Sequence, residues 1–273
     1  MHRRERLGDV EIAFDDQGQG PAVVMLHPFP FDGRAWTDNV QAIIDAGHRV
    51  ITLDYPGFGD SPPAPAPLSI PELAAVVADL LDRLRIDAAA LVGLSMGGYV
   101  ALAFSRQFPE RVWALVLADT RAAADSAAAR QGRTDALRAI QERGVDGYLQ
   151  QSIARLLSPG AAPELLARVM ALAERREETL NTGIAALRDR PDGTAQLGQL
   201  HCPTLALVGA ADQVSPPAEM RAMAAEIPGA RFVEISGAGH LSNLEAPLAF
   251  NAAVTEFLRG AAAAVTVRAV SAL

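Results

Sequence analysis

Gly93-Leu94-Ser95-Met96-Gly97 sets a serine two residues from a glycine on either side, where an apolar run gives way to a helical pattern. That spacing suits a strand-to-helix turn so tight that the serine is forced into strained backbone angles and its hydroxyl is lifted above the sheet. The helix that follows aims its first N–H groups at negative charge developing beside it. The implied chemistry is nucleophilic attack on a carbonyl carbon. A serine hydroxyl is a weak nucleophile at neutral pH, so it needs a base, and the base needs a carboxylate to fix its tautomer. His240, in Gly237-Ala238-Gly239-His240, is the candidate base; Asp212, in Gly209-Ala210-Ala211-Asp212, is the candidate acid. Asp119, directly after the apolar run 112–118, is the rival carboxylate.

Attack on a carbonyl also creates an oxyanion, which backbone amides usually hold. Met96, next to the serine, offers one N–H. The loop His27-Pro28-Phe29-Pro30 offers another, and since proline has no N–H, Phe29 is the donor between Pro28 and Pro30. The Phe29 ring is then expected to line the pocket. His27 reads as a histidine that buttresses this loop rather than one that reacts.

These residues need a scaffold that brings them to one edge. The segment 3–16 alternates around Gly8-Asp9 and predicts an antiparallel hairpin. The runs 22–27, 49–53, 89–93, 112–118 and 204–209 are apolar without alternation, as strands covered on both faces are, and 231–235 is strand-like. Helical spacing fills 36–46, 71–84, 96–107, 216–227 and 243–258, with Pro71 well placed at a helix start. Strand alternating with helix predicts an α/β fold with a doubly wound, mostly parallel sheet, whose carboxyl edge gathers Ser95, Asp212 and His240. From 120 to 195 no strand-like run occurs, only helical sequence broken at Gly144, Ser158-Pro159-Gly160 and Pro191-Asp192-Gly193. A structureless loop of that length is improbable, so this is expected to be an inserted helical cap. The core is then 1–119 with 196–262, and 263–273 is expected as a frayed tail. The Pro-rich stretch 61–67 reads as a stiff connector.

Composition narrows the function. The chain has 273 residues and a net charge of -8, which repels nucleic acid and anionic membranes. All 24 basic residues are arginine. Without lysine there is no Schiff base, no pyridoxal phosphate attachment and no Walker-type loop. The single cysteine, Cys202, permits neither an intrachain disulfide nor a thiolate zinc site, and its apolar setting suits an inert thiol. The five histidines lack metal-ligand spacing. No apolar run reaches the roughly 18–20 residues needed to span a bilayer, and the N-terminus lacks a signal-peptide core. No cofactor, no metal and a cytoplasmic location are expected.

On these motifs the chain resembles the α/β-hydrolase fold family. The resemblance rests on Gly93-Leu94-Ser95-Met96-Gly97-Gly98, on His27-Pro28-Phe29-Pro30, and on Asp54-Tyr55-Pro56-Gly57-Phe58-Gly59-Asp60-Ser61, which is similar to the family's D-x-x-G-x-G-x-S turn. It extends to residues 209–217 (GAADQVSPP) as the acid loop and to Gly239-His240 followed by Glu245-Ala246-Pro247 as the histidine loop. It implies Ser95 as nucleophile, Asp212 as acid, His240 as base, and Phe29 and Met96 as oxyanion donors. Pro28 departs from the glycine usual after the first histidine of that loop. The chain is similar to small bacterial carboxylesterases and to 3-oxoadipate enol-lactonase-like hydrolases, which implies a small-molecule ester or lactone as substrate. Carbon–carbon bond hydrolysis and perhydrolysis use the same residues, and a non-catalytic ligand-binding role is a third expectation; dehalogenation is excluded because it needs a carboxylate where Ser95 stands. The apolar Leu156, Leu157, Leu166 and Met170 lead to the expectation of a mostly hydrophobic pocket.

Overall fold

In chain order the strands are β1 (His2–Leu7), β2 (Val10–Gln17), β3 (Ala22–Leu26), β4 (Arg49–Leu53), β5 (Ala89–Leu94), β6 (Val112–Ala118), β7 (Thr204–Gly209) and β8 (Arg231–Ile235). The computed structural model describes the backbone of residues 2–271 and the side chains of 2–263. The strands form one sheet in the order β1-β2-β4-β3-β5-β6-β7-β8. β2 runs against both its neighbours; the other pairs are parallel. The first hairpin closes with Leu7 opposite Val10 and Gly8 at φ 58°. Every residue of β3, β5 and β7 is buried, which is why these runs carry no polar alternation.

The helices are α1 (Val40–Asp45), α2 (Ile70–Arg83), α3 (Met96–Gln107), α4 (Ala127–Ile153), α5 (Pro163–Leu172), α6 (Glu177–Arg188), α7 (Pro217–Ala225), α8 (Ser242–Glu245) and α9 (Pro247–Ser271). α2 begins with a capping box, Ser69 paired with Glu72, and Pro71 sits in its first turn. It packs on α3, which lies against β3, β5 and β6; α9 packs on β6 and β8 and on α1. Between β6 and β7 the chain is helical, α4 to α6 followed by a 3-10 turn at Thr194–Gln199. α4 is broken at Gly144, which takes φ 74°. Burial pushes the thiol of Cys202 above its ordinary range. Among the described residues no helix is long and apolar enough to cross a membrane.

Three expected elements differ. The helix expected over 36–46 is a 3-10 turn, Gly33–Trp36, and the separate α1. Asn39 stands at the break because its buried side chain bonds Asn251 and the Asn243 carbonyl at 2.7 and 3.3 Å. The helix expected over 243–258 divides at Ala246, since the residue before Pro247 is disfavoured in the helical region; Ala246 has φ -133° and ψ 59°. The expected tail continues α9 as helix to Ser271, because its alanine-rich start holds no breaker; residues 272–273 lie outside the described residues.

The turn after β4 locks the sheet to the segment that follows β3. Gly57 and Gly59 take φ 89° and 52°, and a Cβ at Gly59 would stand 2.3 Å from the Asp54 carboxylate. Only glycine fits there. Asp54 accepts from the Gly33 amide at 2.8 Å and the Asp60 amide at 2.9 Å. Ser61 accepts from the Ala13 amide at 2.8 Å and donates to the Asp54 carbonyl at 2.7 Å, so its hydroxyl joins β2 to the turn. Ser61→Ala leaves two buried backbone groups unpaired and is expected to lower unfolding free energy by about 2 kcal/mol in urea titration. A change within 0.3 kcal/mol, on the order of ordinary surface substitutions, would refute this role.

Candidate active site

Ser95 lies between the end of β5 and the start of α3 at φ 52°, ψ -113°. The flanking glycines are required by contact. A Cβ on Gly93 would meet the Gly97 carbonyl oxygen at 2.3 Å, and one on Gly97 would meet the Leu26 carbonyl oxygen at 1.9 Å. The turn is held by the Ser95 amide donating to the Ala118 carbonyl at 2.9 Å, and by Thr120 Oγ1 donating to the Ser95 carbonyl at 2.8 Å. Sequence reading passed over Thr120; its position directly after Asp119 at a strand end was the available signal.

The Ser95 hydroxyl stands 2.8 Å from His240 Nε2, and His240 Nδ1 stands 2.8 Å from Asp212 Oδ2. His240 and Asp212 are almost wholly buried, at 2% and 4% exposure. Asp212 Oδ1 accepts from the Val214 and Ser215 amides at 2.7 and 2.9 Å, so the acid loop wraps its own carboxylate. The other face of that carboxylate is then fixed toward the imidazole, which it holds in the tautomer with a proton on Nδ1 and a free Nε2. The His240 amide donates to the Leu156 carbonyl at 2.9 Å. Glu245 accepts from the Gly239 amide at 2.7 Å and the Ser158 amide at 2.9 Å, tying the histidine loop to the helical insert. Glu245 appeared in the sequence reading only as part of a motif.

Asp119 does not reach the histidine. It is fully buried at φ 46° and accepts from the Gly209 amide at 2.8 Å and the Ser242 hydroxyl at 2.5 Å. Burial first, and the charge of Asp212 second, push its carboxyl well above the usual range. The rival carboxylate thus joins β7 to the start of α8.

Residues 21–247 match the family described as alpha/beta hydrolase fold. The chain belongs to the α/β-hydrolase fold family. It is 36% identical over 248 residues to the polyketide synthase ThaQ of Burkholderia thailandensis, covering 88% of this chain but only 12% of that much longer protein. It is 30% identical to 3-oxoadipate enol-lactonase 2 of Acinetobacter baylyi over 95% of this chain and 98% of that one. A solved thermophilic esterase from Thermogutta terrifontis superimposes with a TM-score of 0.89 at 35% identity, covering 96% and 99% of the two chains.

In this α/β-hydrolase the loop after β3 carries the Pro28 departure without losing its brace. His27 is wholly buried; its Nε2 accepts from the Tyr55 amide at 3.1 Å, and its Nδ1 lies 3.1 Å from the Pro28 carbonyl. Its ring lies 4.3 Å from the Tyr55 ring. The Phe29–Pro30 peptide is cis, and the Pro30 carbonyl accepts from the Glu174 amide of the insert at 2.8 Å. Among the described residues neither the Phe29 nor the Met96 amide donates to a protein acceptor.

Ser95 and His240 open onto a cleft of about 410 Å³ that Phe29 lines. Its composition corrects the expected hydrophobic pocket. Of the four apolar residues named for it only Leu156 lines it; Leu157, Leu166 and Met170 pack against the core. The wall from the insert is mixed: Arg121, Arg133 and Arg155 stand among Ala136, Tyr148 and Leu187. Among the described residues no three His, Cys, Asp or Glu side chains converge as metal ligands.

Burial holds the His27 imidazole below its ordinary range, with Asp54 pulling it the other way. A histidine whose folded pKa is depressed stabilises the fold fully above its unfolded value of about 6.5 and loses that contribution as pH falls below it. The stability difference between the protein and His27→Gln is therefore expected to shrink on going from about pH 7.5 to about pH 5.5, by up to roughly 1.4 kcal/mol per pH unit. Chemical denaturation at several pH values measures it, and a pH-independent difference contradicts a neutral structural His27.

Proposed function

We propose that the protein is a serine hydrolase that cleaves carboxylic esters or lactones through an acyl-enzyme on Ser95. The observation that carries this reading is the unbroken line from Asp212 through His240 to Ser95, opening on a cleft beside two backbone amides without protein acceptors. The relatives named enol-lactonase and esterase support it.

Ser95 Oγ adds to the substrate carbonyl while His240 Nε2 takes its proton, and the resulting imidazolium is stabilised by the Asp212 carboxylate. The Phe29 and Met96 N–H groups hold the oxyanion, where donors fixed in advance need no reorganisation. Collapse of the tetrahedral intermediate breaks the bond to the alkoxy oxygen, which leaves with the proton from His240. A lactone opens at this step and its alcohol stays on the acyl chain. Water then loses a proton to His240 Nε2 and attacks the acyl carbon, and Ser95 leaves with that proton. Every role is filled by a group of the chain, with no amine among them.

Wild type is expected to be labelled by a fluorophosphonate probe and to release p-nitrophenolate from short esters. Ser95→Ala is expected to lose labelling and at least about 10³-fold in kcat. Asp212→Asn is expected to lose on the order of 10³- to 10⁴-fold through loss of the correct tautomer. Asp119→Asn acts on stability and should cost less than about tenfold in kcat. An unlabelled, inactive wild type, or an active Ser95→Ala, overturns the proposal; a greater loss at Asp119 than at Asp212 reassigns the acid.

A further inference from the structure

The cleft's charge is opposite to that of the chain. The whole chain carries -8, yet the cleft is lined by Arg121, Arg133 and Arg155 against a single carboxylate, Asp125. That carboxylate is already committed. Its Oδ1 accepts from the buried Arg190 guanidinium at 2.6 Å and its Oδ2 from Arg133 Nε at 3.2 Å. Two guanidinium charges share one anion, so the group keeps a net positive charge.

The three cleft arginines are not equivalent. Arg121 donates to the Val214 carbonyl and lies 3.6 Å from Glu219, so it is occupied with the acid loop and α7. Arg133 is gripped only through Nε; its terminal nitrogens have no acceptor among the described residues. Arg155 has no ion pair among the described residues. The Asp125 grip fixes the Arg133 side chain and leaves the outer edge of the guanidinium, which matches the two oxygens of a carboxylate. Arg133 is half-buried and Arg155 exposed, so both guanidinium groups are within reach of an anion that enters the cleft.

We propose that the substrate carries a free carboxylate, held by Arg133 and Arg155 at the insert wall of the cleft while Ser95 attacks its ester or lactone carbonyl. This rests on the hydrolase reading and narrows it to short acids that are both anionic and acylated or lactonised. A sphere of the cleft's volume is about 9 Å across, so carboxylate and scissile carbonyl are separated by a short carbon chain.

The test has two esterase arms and one binding arm. On the acyl side, kcat/KM for mono-p-nitrophenyl adipate is compared with that for p-nitrophenyl heptanoate, in which an ethyl group replaces the carboxylate. On the alcohol side, 4-acetoxybutanoate is compared with pentyl acetate. A preference of tenfold or more for the anionic member in either arm is expected, carried by KM and reduced by added salt. Arg133→Gln and Arg155→Gln are each expected to cut that ratio by on the order of tenfold, whereas Arg138→Gln, paired with Asp135 outside the cleft, leaves it unchanged. The third arm titrates adipate into Ser95→Ala by calorimetry, where Arg133→Gln added to that variant should abolish binding. If no ester is hydrolysed but adipate binds through Arg133, the anion site stands and the hydrolase reading falls. Equal or better hydrolysis of the neutral esters in both arms, no adipate binding at millimolar concentration, or tighter binding of inorganic phosphate than of adipate overturns the inference.

Discussion

The Leu26 carbonyl oxygen occupies the place where a side chain at position 97 would have to be, 1.9 Å from the Cβ that glycine lacks. Everything at the site follows from that closeness. Because α3 starts against the end of β3, the serine between β5 and α3 is raised at φ 52°, and the loop carrying Phe29 lies beside it. Such a backbone costs on the order of 1–3 kcal/mol and persists only when its surroundings over-determine it. Here the neighbouring strand does so: β6 supplies the Ala118 carbonyl that takes the Ser95 amide, and Thr120 follows to grip the Ser95 carbonyl. Thr120 also fills the space beside Gly98, whose Cβ would lie 2.5 Å from its hydroxyl. The raised backbone of Ser95 is therefore a product of the assembled sheet.

The same edge has to bury two carboxylates, Asp119 and Asp212, one strand apart. Their surroundings separate them. Asp212 is wrapped by two amides of its own loop and faces an imidazole, while Asp119 is enclosed and receives one amide and one hydroxyl. Burial and the nearby charge of Asp212 push the Asp119 carboxyl upward, against the Ser242 and Gly209 hydrogen bonds that pull it down. Asp119 thereby contributes to the site by fixing Gly209 and Ser242, the residues that anchor the acid loop and the helix after the histidine.

The strands were legible because parallel strands covered on both faces leave an unmistakable trace: β3, β5 and β7 are buried at every position, and Thr204 is the one polar side chain among them. The motif residues were legible because each answers a local backbone demand, a glycine at a contact or a serine bridging a turn. What was hidden depends on groups far apart in the chain. Asn39 breaks a helix through partners more than 200 residues away, and nothing around it in sequence announces them. The cleft wall was misjudged for a related reason. Arg121, Arg133 and Arg155 belong to separate stretches, and α4 buries only Ala139, Ile140, Leu149 and Ile153, so no apolar stripe told which of its faces would meet Ser95.

The insert between β6 and β7 is bonded to the loop that carries His240 and to the loop after β3. Leu156 takes the His240 amide, Ser158 donates to Glu245, and the Glu174 amide donates to the Pro30 carbonyl. Gly239 belongs to this seam, since its Cβ would lie 2.6 Å from the Ser158 amide. These contacts run through backbone groups, glycine and one glutamate, so they constrain the insert's path without using its cleft-lining arginines. Arg133 and Arg155 take no part in these contacts: the first is held by Asp125, and the second has no ion pair among the described residues. The fold thus separates two demands. The arrangement of Ser95, His240 and Asp212 is set largely by main-chain contacts, whereas the proposed anion site rests on side chains that make no contact with those three residues.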